Sequence, residues 1–383
     1  MLRFLTAGES HGPGLVTIIE GLPAGVEIQA AGLAEQLARR RLGYGRGRRM
    51  QVEKDELEIL SGVRHGRTLG SPVAVLIRNT EWARWSEEMS PEVGEPKRTL
   101  TTPRPGHADL PGMLKYDTHD ARNILERASA RETAARTVAG YAAARLLQRV
   151  GITVLSHVVA IGGVTVTPGT RPGPDDQSTI DKSPVRVFDQ EAEAAMSRVI
   201  EQAKTDRDTV GGVIEVLAFG VPPGLGSHVH WDRRLDTMLA GALMSIQGIK
   251  AVEIGDGFNS AARFGSEAHD EIGYEDRGFV RAADRAGGLE GGISTGQALR
   301  MRAAMKPIST LMRPLPSIDV TTKKPADAFR ERSDVCAVPA AGVVAEQMVA
   351  YVLAGEVLRK FGGDTVADLA AAVEAYRARL SAF

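Results

Sequence analysis

Two histidines sit in glycine-flanked turns: His11 in Gly8-Glu9-Ser10-His11-Gly12, and His107 in Arg104-Pro105-Gly106-His107-Ala108-Asp109. Imidazole changes charge near neutral pH, and a neighbouring Arg and Asp can tune it as an acid or base. A histidine in a turn is also often structurally idle. Between the two lies Arg39-Arg40-Arg41-Leu42-Gly43-Tyr44-Gly45-Arg46-Gly47-Arg48-Arg49, six arginines in eleven residues. Guanidinium forks bind phosphate and carboxylate oxygens bidentately, and alternating glycines let a backbone approach an anion closely. Three readings are open for this run: a small anionic ligand, a solvated charged face, and a nucleic-acid patch. The last is weakened by a lone Tyr44 as stacking partner. In Arg127-Ala128-Ser129-Ala130-Arg131-Glu132-Thr133, the two arginines are four apart and share a helix face. Lys306-Pro307-Ile308-Ser309-Thr310 is followed by Arg332-Ser333-Asp334. Many anion contacts, two histidines and a carboxylate suit a small polyanion and a phosphate-bearing cofactor better than a polymer.

Composition narrows the classes. The chain has 383 residues, with 47 Lys and Arg against 48 Asp and Glu, a net charge of −1. That argues against a globally basic nucleic-acid binder and against an acidic disordered chain. One cysteine, Cys336, excludes an intrachain disulfide and any Cys-rich metal or iron–sulfur site. His228 and His230 are spaced like metal ligands on a strand, yet no obvious carboxylate joins them, so an idle surface pair is expected and no metal. The phosphate-loop, dinucleotide-turn, zinc-protease and nucleophile-elbow signatures are all absent. No apolar run approaches ~18 residues, so no membrane span is expected. The start, MLRFLTAGESHG, turns polar too early for a signal peptide, and a cytoplasmic protein is expected.

The elements that must hold these residues follow from periodicity. Alternation predicts strands over 14–20, 73–77, 152–160, 212–219 and 297–304. In the last, Leu299, Met301 and Ala303 alternate with Arg300 and Arg302, giving one apolar and one charged face. Helical spacing predicts helices over 119–149, 189–204, 232–246, 340–358 and 365–380. Asp120 or Thr118 is the expected cap of the first, and Gly151 its stop. Stretches 79–106, 163–184 and 255–296 read as long loops; the middle one as a plain surface excursion, the outer two as active-site covers. The length alone suggests two or three domains.

The clusters above occur in this order in one family. With Val252-Glu253-Ile254-Gly255-Asp256-Gly257-Phe258 and Gly291-Gly292-Ile293-Ser294-Thr295-Gly296 added, the chain from about residue 1 to about residue 360 resembles the chorismate synthase family. The resemblance implies an α+β fold, a single-domain β-α-β sandwich over 1–383 with helices between antiparallel sheets, assembled as a homotetramer. It implies a carbon–oxygen lyase acting on phosphates, converting 5-enolpyruvylshikimate 3-phosphate to chorismate by 1,4 anti elimination with reduced FMN. NADPH would enter only as an indirect reductant, through an external flavin reductase. His11, His107 and Asp334 take catalytic positions by the resemblance. Ser10, Arg40, Arg46, Arg49, Arg104, Arg131 and Arg332 take substrate positions. Arg127, Ala128, Ser129, Gln247, Gly248, Gly291, Lys306, Pro307, Ile308, Ser309, Thr310 and Arg332 take cofactor positions.

Overall fold

A computed structural model describes residues 1–47, 55–275, 278–331 and 333–383. Two antiparallel sheets form the outer layers. In the first, the order is Arg3–Ala7, Gly14–Glu20, Val73–Arg78, Glu56–Ser61. Period-two alternation puts Leu15, Thr17, Ile19, Val73, Val75 and Ile77 on its buried face. The second sheet has the order Ile249–Ile254, Leu299–Met305, Gly212–Phe219, Thr153–Ile161, Val164–Thr165.

Helices fill the space between. Thr133–Gln148 packs on the first sheet, and Val338–Phe361 packs on both that helix and the second sheet. Their contact is close because side chains at the crossing are small. A Cβ added at Gly140 would stand 2.2 Å from the Cβ of Gln347, so only glycine fits there. Buried residues of both sheets and of the central helices join in one continuous apolar core. Trimming a fully buried member such as Leu353 to Ala should cost about 2–5 kcal/mol. Val338–Phe361 is long and apolar enough to cross a membrane, but 78% of its apolar window is buried inside the protein. The expected α+β sandwich, with helices between antiparallel sheets, is what the chain forms.

Several expectations are corrected. The predicted helix 119–149 is broken into Arg122–Ala128, a 3-10 turn Ala130–Glu132, and Thr133–Gln148. The break is Ser129, which is extended at φ −62°, ψ 140°. Asp120 does serve the start: its Oδ1 accepts the Arg122 N–H at 2.9 Å and the Leu100 N–H at 3.0 Å. Segment 163–184 is no plain excursion, because its helix Gln177–Lys182 seats Ile180 against Leu155 and Leu217. Segment 255–296 is no simple loop either. It holds two helical turns and the hairpins Ile272–Glu275 with Gly278–Arg281 and Leu289–Glu290 with Ile293–Ser294. That segment covers the charged face of the second sheet, where Arg300 is 2% exposed and bonded to Asp256 and Asp284. His230 has a carboxylate partner after all, Asp232, 2.6 Å from its Nδ1.

Candidate active site

A cavity of about 740 Å³ opens between the first sheet's loops, the broken helix and the start of Val338–Phe361. Ser10, His11, Arg40, Arg46, Arg104, His107, Ala128, Ser129, Arg131 and Asp334 all line it. So do Gln247, Gly248 and the run Lys306 to Thr310. Arg127 does not: it lies in a neighbouring groove, donating to the Thr6 and Gly8 carbonyls. Gly291 does not line the cavity either; it sits in the turn of the 289–294 hairpin. No described residue of 255–296 lines it, so among the described residues 79–106 is the expected cover that reaches the cavity, through Trp85, Arg104 and Gly106. Arg49 and Arg332 lie outside the described residues.

On one wall, the Gly8–Gly12 turn is pinned by Asn79, whose amide donates to the Gly12 carbonyl at 2.6 Å and to that of Ser10 at 3.3 Å. His11 Nδ1 is 2.9 Å from Glu126 Oε1, and the His11 backbone N–H donates to Oε2 at 2.8 Å. The imidazole packs on Trp85 with ring centroids 4.0 Å apart. Arg122 donates to Glu126 at 2.9 Å. Burial works to raise the Glu126 carboxyl, but the hydrogen bonds and charge of His11, with Arg122, outweigh it and hold it below the usual range. Ser129 Oγ reaches Ser10 Oγ at 3.2 Å, which the break at Ser129 makes possible.

The second wall repeats the grouping. His107 Nδ1 makes a short hydrogen bond to Asp109, which is fully buried. Arg104 meets the same carboxylate through Nε at 2.8 Å and Nη2 at 3.0 Å, and gives Nη1 to Thr310 at 2.8 Å. Burial again pushes Asp109 up, but the His107 and Arg104 hydrogen bonds and charges win and bring it down to about 2. The expected anion clamp Arg104 is therefore paired with a carboxylate, as Arg46 is with Asp334 and Arg131 with Asp55. Lys306 closes this wall, donating to the Gly106 carbonyl at 2.6 Å. Burial, with Lys250 nearby, pulls its ammonium down.

The third wall is the arginine run, which is neither a solvated face nor a nucleic-acid patch over its described part. Arg39 turns into the core, bonded to Glu346 at 2.7 Å and Asp181 at 2.8 Å. Arg40, 4% exposed, faces the cavity with Thr133 Oγ1 3.2 Å away. Arg46 donates to Asp334 Oδ2 at 2.5 Å, and the Gly47 N–H donates to Oδ1 at 2.7 Å. The glycines also make room for protein: a Cβ at Gly45 would lie 2.7 Å from Ile200, and one at Gly47, which lines the cavity, 3.1 Å from the Ser333 carbonyl. Opposite, Arg131 is bonded to Asp55 at 2.6 Å and to Asn79 at 3.1 Å.

Three residues at the site carry no role in the sequence reading: Asn79, Trp85 and Glu126. Glu126 immediately precedes the Arg127–Thr133 cluster, while Asp109, two residues past His107, is the carboxylate expected to tune it. Asn79 and Trp85 had no local signal beyond lying in the expected cover 79–106.

Comparison with known proteins agrees with this geometry. The chorismate synthase family model matches residues 2–358. A chorismate synthase of Acidothermus cellulolyticus is 60% identical over 385 residues, covering 98% of each chain. Those of Salinispora tropica, at 60%, and Thermobifida fusca, at 58%, cover 96% of each chain. A crystal structure of a chorismate synthase superposes with a TM-score of 0.81 at 41% identity, covering 100% of this chain and 99% of the other. This chain therefore belongs to the chorismate synthase family, carbon–oxygen lyases acting on phosphates.

Proposed function

We propose that the chain converts 5-enolpyruvylshikimate 3-phosphate to chorismate and phosphate by 1,4 anti elimination with reduced FMN, the last common step of aromatic amino acid biosynthesis. The observation that carries this reading is the meeting of His11, His107 and Asp334 with Arg40, Arg46, Arg131 and Lys306 around one cavity. The substrate brings two carboxylates and a phosphate, roughly four negative charges near neutral pH. Burying those without matched cations would be prohibitive.

The walls fit a flavin beside that substrate. Ala128, Ile246, Met305, Ile308, Ala340 and Val344 give the cavity an apolar side suited to a flat ring system. On that side Gln247 Oε1 is buried with no hydrogen-bond partner among the described residues, and so is Arg46 Nε on the cationic side. The first is a ready acceptor for a ring N–H and the second a donor for an anion. When bound, reduced FMN would supply the electron density that the elimination draws on. Ala128, Ser129, Gln247, Gly248 and the 306–310 run would hold it. Arg40, Arg46 and Arg131 neutralise and orient the substrate, Ser10 adding a hydroxyl beside His11. Arg104, held in place by Asp109 and Thr310, joins those arginines as an anion contact. His11 gives a proton to the departing phosphate. His107 holds the proton that keeps the cofactor in its required form, and Asp334 moves the proton at N5.

NADPH acts only indirectly, through an external flavin reductase, on a cytoplasmic homotetramer. The test is an oxygen-free assay with chemically reduced FMN. Chorismate and phosphate should appear in equal amounts with no net use of reductant, with or without NADPH. No product, or one reductant consumed per turnover, overturns the reading.

A further inference from the structure

Both cavity histidines have a carboxylate at Nδ1, but only one of these carboxylates also grips the backbone of the histidine it serves. Glu126 meets His11 Nδ1 with both oxygens, at 2.9 Å and 3.1 Å, and accepts the His11 N–H at 2.8 Å. Its own carbonyl accepts the Ser10 N–H at 2.9 Å. Arg122, one turn earlier on the same helix, donates to Oε1 at 2.9 Å and extends its other nitrogen to Glu331 at 3.3 Å. Trp85 presses on the imidazole face, and the Arg122 guanidinium lies 5.0 Å from the same indole. The His11 side chain is 9% exposed and that of Glu126 3%.

A carboxylate receiving an arginine and a backbone N–H is ionised and can only accept hydrogen bonds. The proton of the Glu126–His11 contact therefore sits on Nδ1. Doubly protonated His11 can then lose a proton only from Nε2, and its conjugate base is the neutral Nδ1–H ring. In the opposite tautomer, a nitrogen lone pair would face the carboxylate. A neutral ring of that kind could give a proton only by becoming an imidazolate.

We propose that Glu126 is a positioning residue of the elimination: it keeps the His11 proton on Nδ1 and so makes Nε2 the atom that serves the leaving phosphate. The proposal rests on the reading of His11 as proton donor. A merely structural Glu126 would anchor the Ser10–Gly12 turn and be indifferent to where the imidazole proton lies or how fast phosphate leaves.

Two measurements decide it. Neutron diffraction from deuterium-exchanged crystals of the whole chain should show deuterium on His11 Nδ1; a bare Nδ1 overturns the proposal. In Glu126→Gln, the amide NH₂ must oppose either Arg122 or the His11 N–H. At neutral pH, kcat for chorismate formation should fall about 10²-fold or more while KM for the enolpyruvyl substrate changes by less than about threefold. Wild-type kcat in this variant, or a loss confined to KM, overturns it. If circular dichroism shows that Glu126→Gln does not fold, the neutron result on the wild type decides alone. That result also stands apart from the lyase reading, which fails only if the wild type makes no chorismate.

Discussion

Besides His11–Glu126–Arg122, two further histidine–carboxylate–arginine groups of nearly the same make stand out among the described residues, and their surroundings differ. In the second sheet, His157 and Glu215 are cross-strand neighbours, and Glu215 pairs in register with Arg302 on the other side. His157 Nε2 is 3.2 Å from Glu215, and Arg302 donates to Glu215 at 2.8 Å. At the cavity, His107, Asp109 and Arg104 form the corresponding group. Both carboxyls are pushed up by burial, and both are pulled down to about 2 by their histidine and arginine. The imidazoles part company: His157 is 1% exposed as a residue and lines neither the cavity nor the neighbouring groove, whereas the His107 side chain is 19% exposed and lines the cavity. Charge pairing of this kind is a structural device wherever it occurs. Only an open side to the ring makes it chemistry.

The largest expected effect separates the two groups by turnover. His107→Ala should lower kcat about 10²- to 10⁴-fold per folded molecule, with some loss of melting temperature because buried Asp109 loses a hydrogen-bond partner; an unimpaired enzyme removes His107 from the reaction. Next comes stability. Asp109→Asn leaves the buried Arg104 guanidinium without its countercharge and should cost about 3 kcal/mol in urea unfolding; Glu215→Gln, whose arginine partner Arg302 is one-third exposed, should cost less, about 1–2 kcal/mol. Only Asp109→Asn should also slow the reaction per folded molecule; equal kcat losses would erase the distinction.

Acid should affect both groups alike. A carboxyl held at about 2 in the fold contributes stability that is complete above its unfolded value and disappears as pH falls through the folded one. Urea midpoints should therefore be flat above about pH 5 and drop from about pH 4 toward pH 2. Each group accounts for on the order of 2 kcal/mol of that loss. In Glu215→Gln the drop should shrink, and an unchanged profile counts against the pairing. The smallest effect lies in the arginine loop. Gly45 has φ +85° with Ile200 close by, so Gly45→Ala should cost about 1 kcal/mol. By shifting Arg46, it should raise KM more than it lowers kcat.

The sheets were largely legible because half-buried strands alternate. The strands predicted over 14–20 and 212–219 match Gly14–Glu20 and Gly212–Phe219 residue for residue. The 255–296 segment was not, since its strands are two to four residues long and much of its hairpin is exposed, leaving no periodicity to read. The break at Ser129 was hidden because Ala and Arg on either side keep helical spacing without a Pro or Gly. In the arginine run, residue type was visible but direction was not. Arg39 and Arg40 are neighbours, yet one pairs with Glu346 in the core and the other faces the cavity. The partners that decide such directions, Glu346 for Arg39 and Asp334 for Arg46, lie about three hundred residues away in the chain. Cavity residues with local motifs could be named from the sequence; Asn79 and Trp85, which act through distant contacts, could not.

The open-sided group reacts, and the closed one only supports. Single-turnover chorismate formation, under oxygen-free conditions with reduced FMN, should be compared for His107→Ala and His157→Gln at equal folded concentration. The account predicts a loss of at least about 10²-fold in the first and a near-wild-type rate in the second. Equal rates in the two variants, or a greater loss in His157→Gln, would contradict it.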